Sequence, residues 1–116
     1  MKSAEPYLRH ILDETTFLGR VAATTVLDSI ESDEVLARAV VRSLEVIGEA
    51  ASNIPEGYRS KHPEIPWRKI VGLRNRLIHE YFAVDFDILK GILVSEVPDL
   101  RAAVLRVLGE TEGEPT

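Results

Sequence analysis

The chain contains no cysteine. That excludes disulfides, thiolate nucleophiles and every cysteine-ligated metal site, and it fits a reducing compartment. Long apolar runs are missing as well. No stretch approaches the roughly 18 uninterrupted apolar residues of a membrane span, and the opening MKSAEPYLRH lacks the apolar core of a secretory leader. A soluble, cytoplasmic protein without membrane contact is expected. Aromatic residues are scarce, at 6%, and no segment alternates apolar and polar residues with period two, so strands are not expected. Basic charge is in deficit, with 14 Lys and Arg against 19 Asp and Glu and a net charge of −5. Such a chain does not coat nucleic acid indiscriminately, and any contact of that kind must be local.

What is present suffices for one helical domain. A chain of 116 residues with 45% hydrophobic content buries roughly two-thirds of its unfolded surface and needs no covalent staple. Apolar residues recur at three- and four-residue spacing, which predicts an all-α fold, an antiparallel bundle of four to five helices over residues 1–108. Residues 109–116 are small, acidic and proline-containing and are expected to form a flexible tail. A first helix is predicted from about Pro6 through Leu18, ending near Gly19, and the β-branched stretch from Val21 to Val26 stays open between helix, strand and turn. Ser32 or Asp33 can cap a second helix reaching to about Ser52. Its apolar arc, from Val35 and Leu36 to Ala50 and Ala51, is wider than a lone surface helix needs. Small residues at Gly48, Ala50 and Ala51 permit close approach of another helix, and a second copy of the chain is the simplest extra partner. Three prolines and a glycine between Asn53 and Pro66 predict a long connection with a single helical turn near Pro55–Lys61. A third helix follows from Pro66 to about Phe82, a fourth is capped by Asp85, and a fifth begins at Pro98.

The third helix holds the feature that propensity does not explain. On a wheel of 3.6 residues per turn, Trp67, Ile70, Val71, Leu73, Leu77, Ile78, Tyr81 and Phe82 form an apolar half, and Arg74 falls near its centre. A guanidinium there must meet an anion, a carboxylate such as Glu45 or Glu49, or a wet cleft between packed surfaces. The opposite arc carries Arg68, Gly72, Asn75 and His79, with Arg76 beside them. From Arg59 to His79 the chain has six basic residues and one acid, Glu64. This is a positive patch within an acidic protein, with Arg68 and Lys69 as candidate RNA contacts, although a charge run is usually a solvated face. A histidine near arginines suits phosphodiester cleavage, in which a base takes the 2′-hydroxyl proton, a cation steadies the phosphorus centre and an acid protonates the leaving oxygen. His10 and His62 lack ligand spacing with His79, so neither a metal nor a cofactor is expected.

The string GLRNRLIHEYF, Gly72 to Phe82, contains Arg74, four residues, His79, one residue and Tyr81. It resembles the Arg-x4-His-x-Tyr signature of the HepT-like toxins within the HEPN superfamily. The likeness extends from Arg42 to Asp85, through IGEA, HPEIPW and HEYF, and the flanking helices fit it. It implies a two-fold homodimer with the motifs of both protomers facing one cleft. It also implies a metal-independent endoribonuclease in which Arg74 stabilises phosphoryl charge, His79 acts in acid–base catalysis, and Asn75 and Arg76 orient substrate. The resemblance further implies the toxin half of a type VII toxin–antitoxin pair, whose partner, a nucleotidyltransferase of the MNT type, transfers AMP to Tyr81. A catalytically silent HEPN dimer that binds nucleotides or scaffolds a partner is the alternative. In an unbroken helix Arg74 and His79 lie about 140° apart around the axis. Either the last turn distorts or two chains share the site, and the excess apolar surface favours a composite site.

Overall fold

The structure, a computed structural model, describes residues 4–79 and 85–113, with side chains through 109. All regular structure among these residues is helical: α1 (Glu5–Thr24), a 3-10 turn (Leu27–Ser29), α2 (Glu34–Asn53), α3 (Glu56–Lys61), α4 (Trp67–His79), α5 (Phe86–Gly91) and α6 (Val97–Gly113), the last two joined by a π-helical stretch (Ile92–Glu96).

In α1, Leu8, Ile11, Thr15, Leu18 and Val21 are buried, a three-four spacing that gives one inward seam. Thr15 is tolerated inside because its hydroxyl donates to Leu12 O at 3.0 Å. The helix does not end near Gly19; it runs to Thr24, so the open Val21–Val26 stretch is helical over its first four residues. A solvent-facing glycine costs a helix only about 1 kcal/mol, and burial of Leu18 and Val21 on the other face outweighs that. Asp33 caps α2, accepting from Leu36 N at 3.0 Å. The inward face of α2 is formed by Val40, Ser43, Leu44, Ile47, Gly48, Ala50 and Ala51. Val35, expected on that arc, is 81% exposed, because the first turn overhangs the bundle. Ser43 Oγ reaches Glu14 O near the middle of both helices, so α1 and α2 form an antiparallel hairpin around the 3-10 turn.

The single helical turn expected in the connection is α3, whose Tyr58 is buried. His62 is half-buried: its ring packs on Tyr58 with centroids 4.4 Å apart, and its carbonyl accepts from the Trp67 indole at 3.0 Å. These contacts anchor the start of α4. Asp85 caps α5 through Asp87 N and Ile88 N.

Pro98 does not begin a separate helix. The backbone stays helical from α5 into α6, and Val97 N–H donates to Ile92 O, five residues back. Proline lacks the donor that an α-helix needs, and its ring crowds the carbonyl one turn earlier. The wider π turn just before it absorbs that mismatch. The result is one rod instead of two helices, and α6 passes Gly109, where the tail was placed, to reach Gly113.

Helix α1 packs against α2 on one side and α6 on the other, while α4 packs on α2. Leu8, Ile11, Leu18, Val40, Leu93, Val104 and Val107 are among the fully enclosed side chains. Across from α2, α4 and the α5–α6 rod stand apart and leave a groove. No helix among the described residues is long and apolar enough to cross a membrane.

Candidate active site

Helix α4 packs on α2, with the stem of Arg74 at the contact, and its Trp67 and Leu77 are buried. Of the apolar half read from the wheel, Ile70, Val71 and Leu73 are only half-buried and Ile78 is 40% exposed. The described chain therefore covers less of this face than its composition calls for. Tyr81 and Phe82, and with them the final turn expected of this helix, lie outside the described residues.

Arg74 is half-buried, and its stem lies against Gly48: a Cβ placed on Gly48 would fall 2.1 Å from Arg74 Cβ and 2.8 Å from its Cγ. The guanidinium Nη1 donates to Asn75 Oδ1 at 2.6 Å, while Nε is buried without an acceptor. Neither Glu45 nor Glu49 neutralises it. Both face Arg42, with Nη1–Oε1 distances of 3.4 and 3.5 Å. Among the described residues no acid pairs with Arg74, so the cation sits beside an apolar contact with its charge uncompensated. An arginine so placed is suited to an anion from outside the fold.

The remaining candidates divide between two flanks of α4. Arg68, Asn75 and His79 are exposed and spaced by seven and four residues, so they share the flank turned to solvent. His79 is the last residue of α4, and its imidazole makes no hydrogen bond or ion pair among the described residues. Lys69 and Arg76 lie on the other flank, seven residues apart, and both line the groove. Lys69 is ion-paired with Glu96 of the π stretch, and Arg59 with Glu56 at 3.0 Å, so two of the six cations of the basic segment are already matched. The structure thus joins Arg74 to Asn75 and sets His79 one turn further along the exposed flank. Helix α4 is α-helical through His79, so no distortion of its last turn brings imidazole and guanidinium to the same side within one chain.

The groove was not anticipated. It encloses about 820 Å3, floored by Leu44 and Ile47 of α2 and walled by Leu73 of α4 and by Ile88, Ile92 and Leu100 of the rod. Its signal was the run of apolar residues shared by α2 and α4, which the helical wheel assigned to packing within the bundle and against a second copy, with no groove between. Arg74, Asn75 and His79 do not line it. Among the described residues no three His, Asp or Glu side chains gather as metal ligands.

A family model described as Ribonuclease HepT-like matches residues 11–107. The chain is 44% identical over 108 residues to a protein of Caldanaerobacter subterraneus subsp. tengcongensis, covering 93% of this chain and 96% of the other. It is 34% identical over 113 residues to one of Methanocaldococcus jannaschii, covering 97% and 93%; both carry the description "Putative RNase". A third relative, named "Probable ribonuclease HepT", from Thermococcus cleftensis, is 35% identical over 100 residues, 86% of this chain and 91% of that one. No solved structure matches the chain.

Proposed function

The chain belongs to the HepT-like ribonuclease family, and from that membership and the geometry of α4 we propose that it is a metal-independent endoribonuclease, the toxin of a type VII toxin–antitoxin pair. The observation that carries this reading is Arg74: a half-buried guanidinium that pairs with no acid among the described residues, although Glu45 and Glu49 lie on the neighbouring helix.

In the proposed reaction an RNA phosphate is held by the Arg74 guanidinium. Neutral His79 takes the proton from the 2′-hydroxyl, the 2′ oxygen bonds to phosphorus, and the bond from phosphorus to the 5′ oxygen breaks as that oxygen receives a proton. Arg74 counters the charge that grows on the phosphoryl oxygens. Asn75, bonded to Arg74, orients the guanidinium or the RNA, and Arg68 and Arg76 supply backbone contacts. Because Arg74 and His79 of one helix face different ways, the site is composite: two copies meet on the half-covered face around Val71 and Ile78, and two His79 side chains divide the acid and base roles. Transfer of AMP to Tyr81 by an MNT-type nucleotidyltransferase would add phosphate charge to the motif and repel RNA.

The absence of an orienting partner for His79 among the described residues favours a second reading, a silent dimer that binds nucleotides or scaffolds a partner. Incubation of the purified protein with cellular RNA in EDTA, beside His79→Ala, separates the two. Cleavage by the wild type alone is expected; equal cleavage by both, or none, leaves the silent dimer.

A further inference from the structure

Gly48 differs from the other glycines described. Gly19, Gly57, Gly72, Gly91 and Gly109 all have open space where a Cβ would stand, whereas a Cβ on Gly48 would meet Arg74 Cβ at 2.1 Å, Arg74 Cγ at 2.8 Å and Ile70 O at 3.2 Å. Carbon atoms in contact stay about 3.5–4.0 Å apart. Arg74 Cβ is fixed by its own backbone and cannot swing aside, so even one methyl group at position 48 would push α4 from α2 by roughly 1.5 Å. The neighbour that requires a glycine is therefore the stem of the candidate catalytic cation, not a side chain of the apolar core.

We infer that Gly48 is a positioning residue for Arg74, its bare backbone forming the seat that aims the guanidinium at the phosphate; this rests on the role given to Arg74 above. With Cβ and Cγ against α2, the first torsion of the side chain is locked. The buried Nε without an acceptor has the same origin, since an unconfined arginine would turn that N–H to water. Beyond the seat, Nη1 reaches Asn75 Oδ1, so the side chain is held at both ends. One turn before Gly48 and directly after it, Glu45 and Glu49 are engaged by Arg42. The seat thus sits between two carboxylates without lending either to the cation, which keeps the guanidinium free for a substrate anion.

The test measures kcat and KM for RNA cleavage by the wild type, Gly48→Ala, Arg74→Ala, the double variant and Gly19→Ala, with melting temperatures alongside. A displacement near 1 Å costs on the order of 100-fold in rate. Gly48→Ala is expected to lose about that much in kcat, with KM nearly unchanged. In the Arg74→Ala background the same change should cost less than about threefold, because the two residues act as one unit. Gly19→Ala should behave as wild type. Full kcat in folded Gly48→Ala, or an equal loss in both backgrounds, overturns the inference, the second outcome making Gly48 a packing residue only. If Gly48→Ala does not fold, wild-type protein labelled with 15N-arginine decides. The Arg74 Nε–H, assigned with Arg74→Lys, should exchange with solvent at least about tenfold more slowly than that of exposed Arg20. Equal exchange refutes the seat. A wild type no more active than His79→Ala sinks the nuclease reading, and the exchange measurement still rules on Gly48.

Discussion

Replacing Arg74 with alanine distinguishes a cation awaiting an outside anion from one that neutralises a buried acid. The change deletes two methylenes, Cγ and Cδ, from a half-buried site. At about 0.8 kcal/mol per fully buried methylene the lost packing is about 1 kcal/mol. Against this, the change removes a buried Nε that has no acceptor, and relief of such a group returns about 1–3 kcal/mol. The net effect should lie within about 2 kcal/mol of zero. Had Arg74 been paired with Glu45 or Glu49, its removal would strand a carboxylate at about 3–5 kcal/mol. For a chain this size, 1 kcal/mol corresponds to about 4 °C in Tm. Thermal melts followed by circular dichroism should therefore show a shift within about 8 °C, while RNA cleavage falls by about 10²–10³-fold. The melts should be run at several protein concentrations, since a dimer's Tm depends on concentration. A fall beyond about 12 °C at every concentration would mean that an acid does hold Arg74, and the reasoning from its uncompensated charge would fail.

Ile78→Glu places charge on the half-covered face of α4, at a side chain already 40% exposed, so it should leave the fold intact while shifting sedimentation from dimer to monomer and abolishing cleavage; a dimer that persists refutes the composite site. Co-expression with a neighbouring MNT-type nucleotidyltransferase should raise the mass of the protein by whole AMP units, and Tyr81→Phe should not gain them. The Asp28 carboxyl is held below the ordinary carboxylate range by its hydrogen bond from Lys90 and then by that residue's charge, which means its contribution to stability is present above the unfolded carboxylate value and disappears as pH falls through the lowered one. Asp28→Asn should accordingly flatten the acid limb of the Tm–pH curve, and an unchanged limb would show that the pair does nothing.

Where a single local rule governs, the chain could be read directly. Asp85 and, of the two candidates Ser32 and Asp33, Asp33 each precede an apolar-periodic run and cap it, because a side-chain carboxylate satisfies free N–H groups in any context. The lone turn at α3 followed from prolines on both sides. Readings failed where a local preference met a larger packing gain. Gly19 is a poor helix residue, yet α1 continues because Leu18 and Val21 are drawn into the core. Pro98 suggested a break, yet the rod continues by changing its hydrogen-bond register for one turn. At the site, the wheel placed Arg74 on an apolar face but could not tell which acid, if any, would meet it. That depends on Arg42 having drawn off Glu45 and Glu49, a competition between side chains on another helix. Gly48 was legible as a place for close approach, but nothing local named Arg74 as the neighbour.

The wide turn ahead of Pro98 holds one residue more than an ordinary helical turn would. Each residue of an α-helix advances it by about 100°, so a regular spiral one residue shorter sweeps nearly the same angle as this stretch. Deleting one position between Ile92 and Glu96 would therefore close the wide turn and leave Leu100, Val104 and Val107 on their present bearing. The same loss after Pro98, where no surplus residue exists, would swing Val104 and Val107 away from α1 by about 100° and expose oily surface.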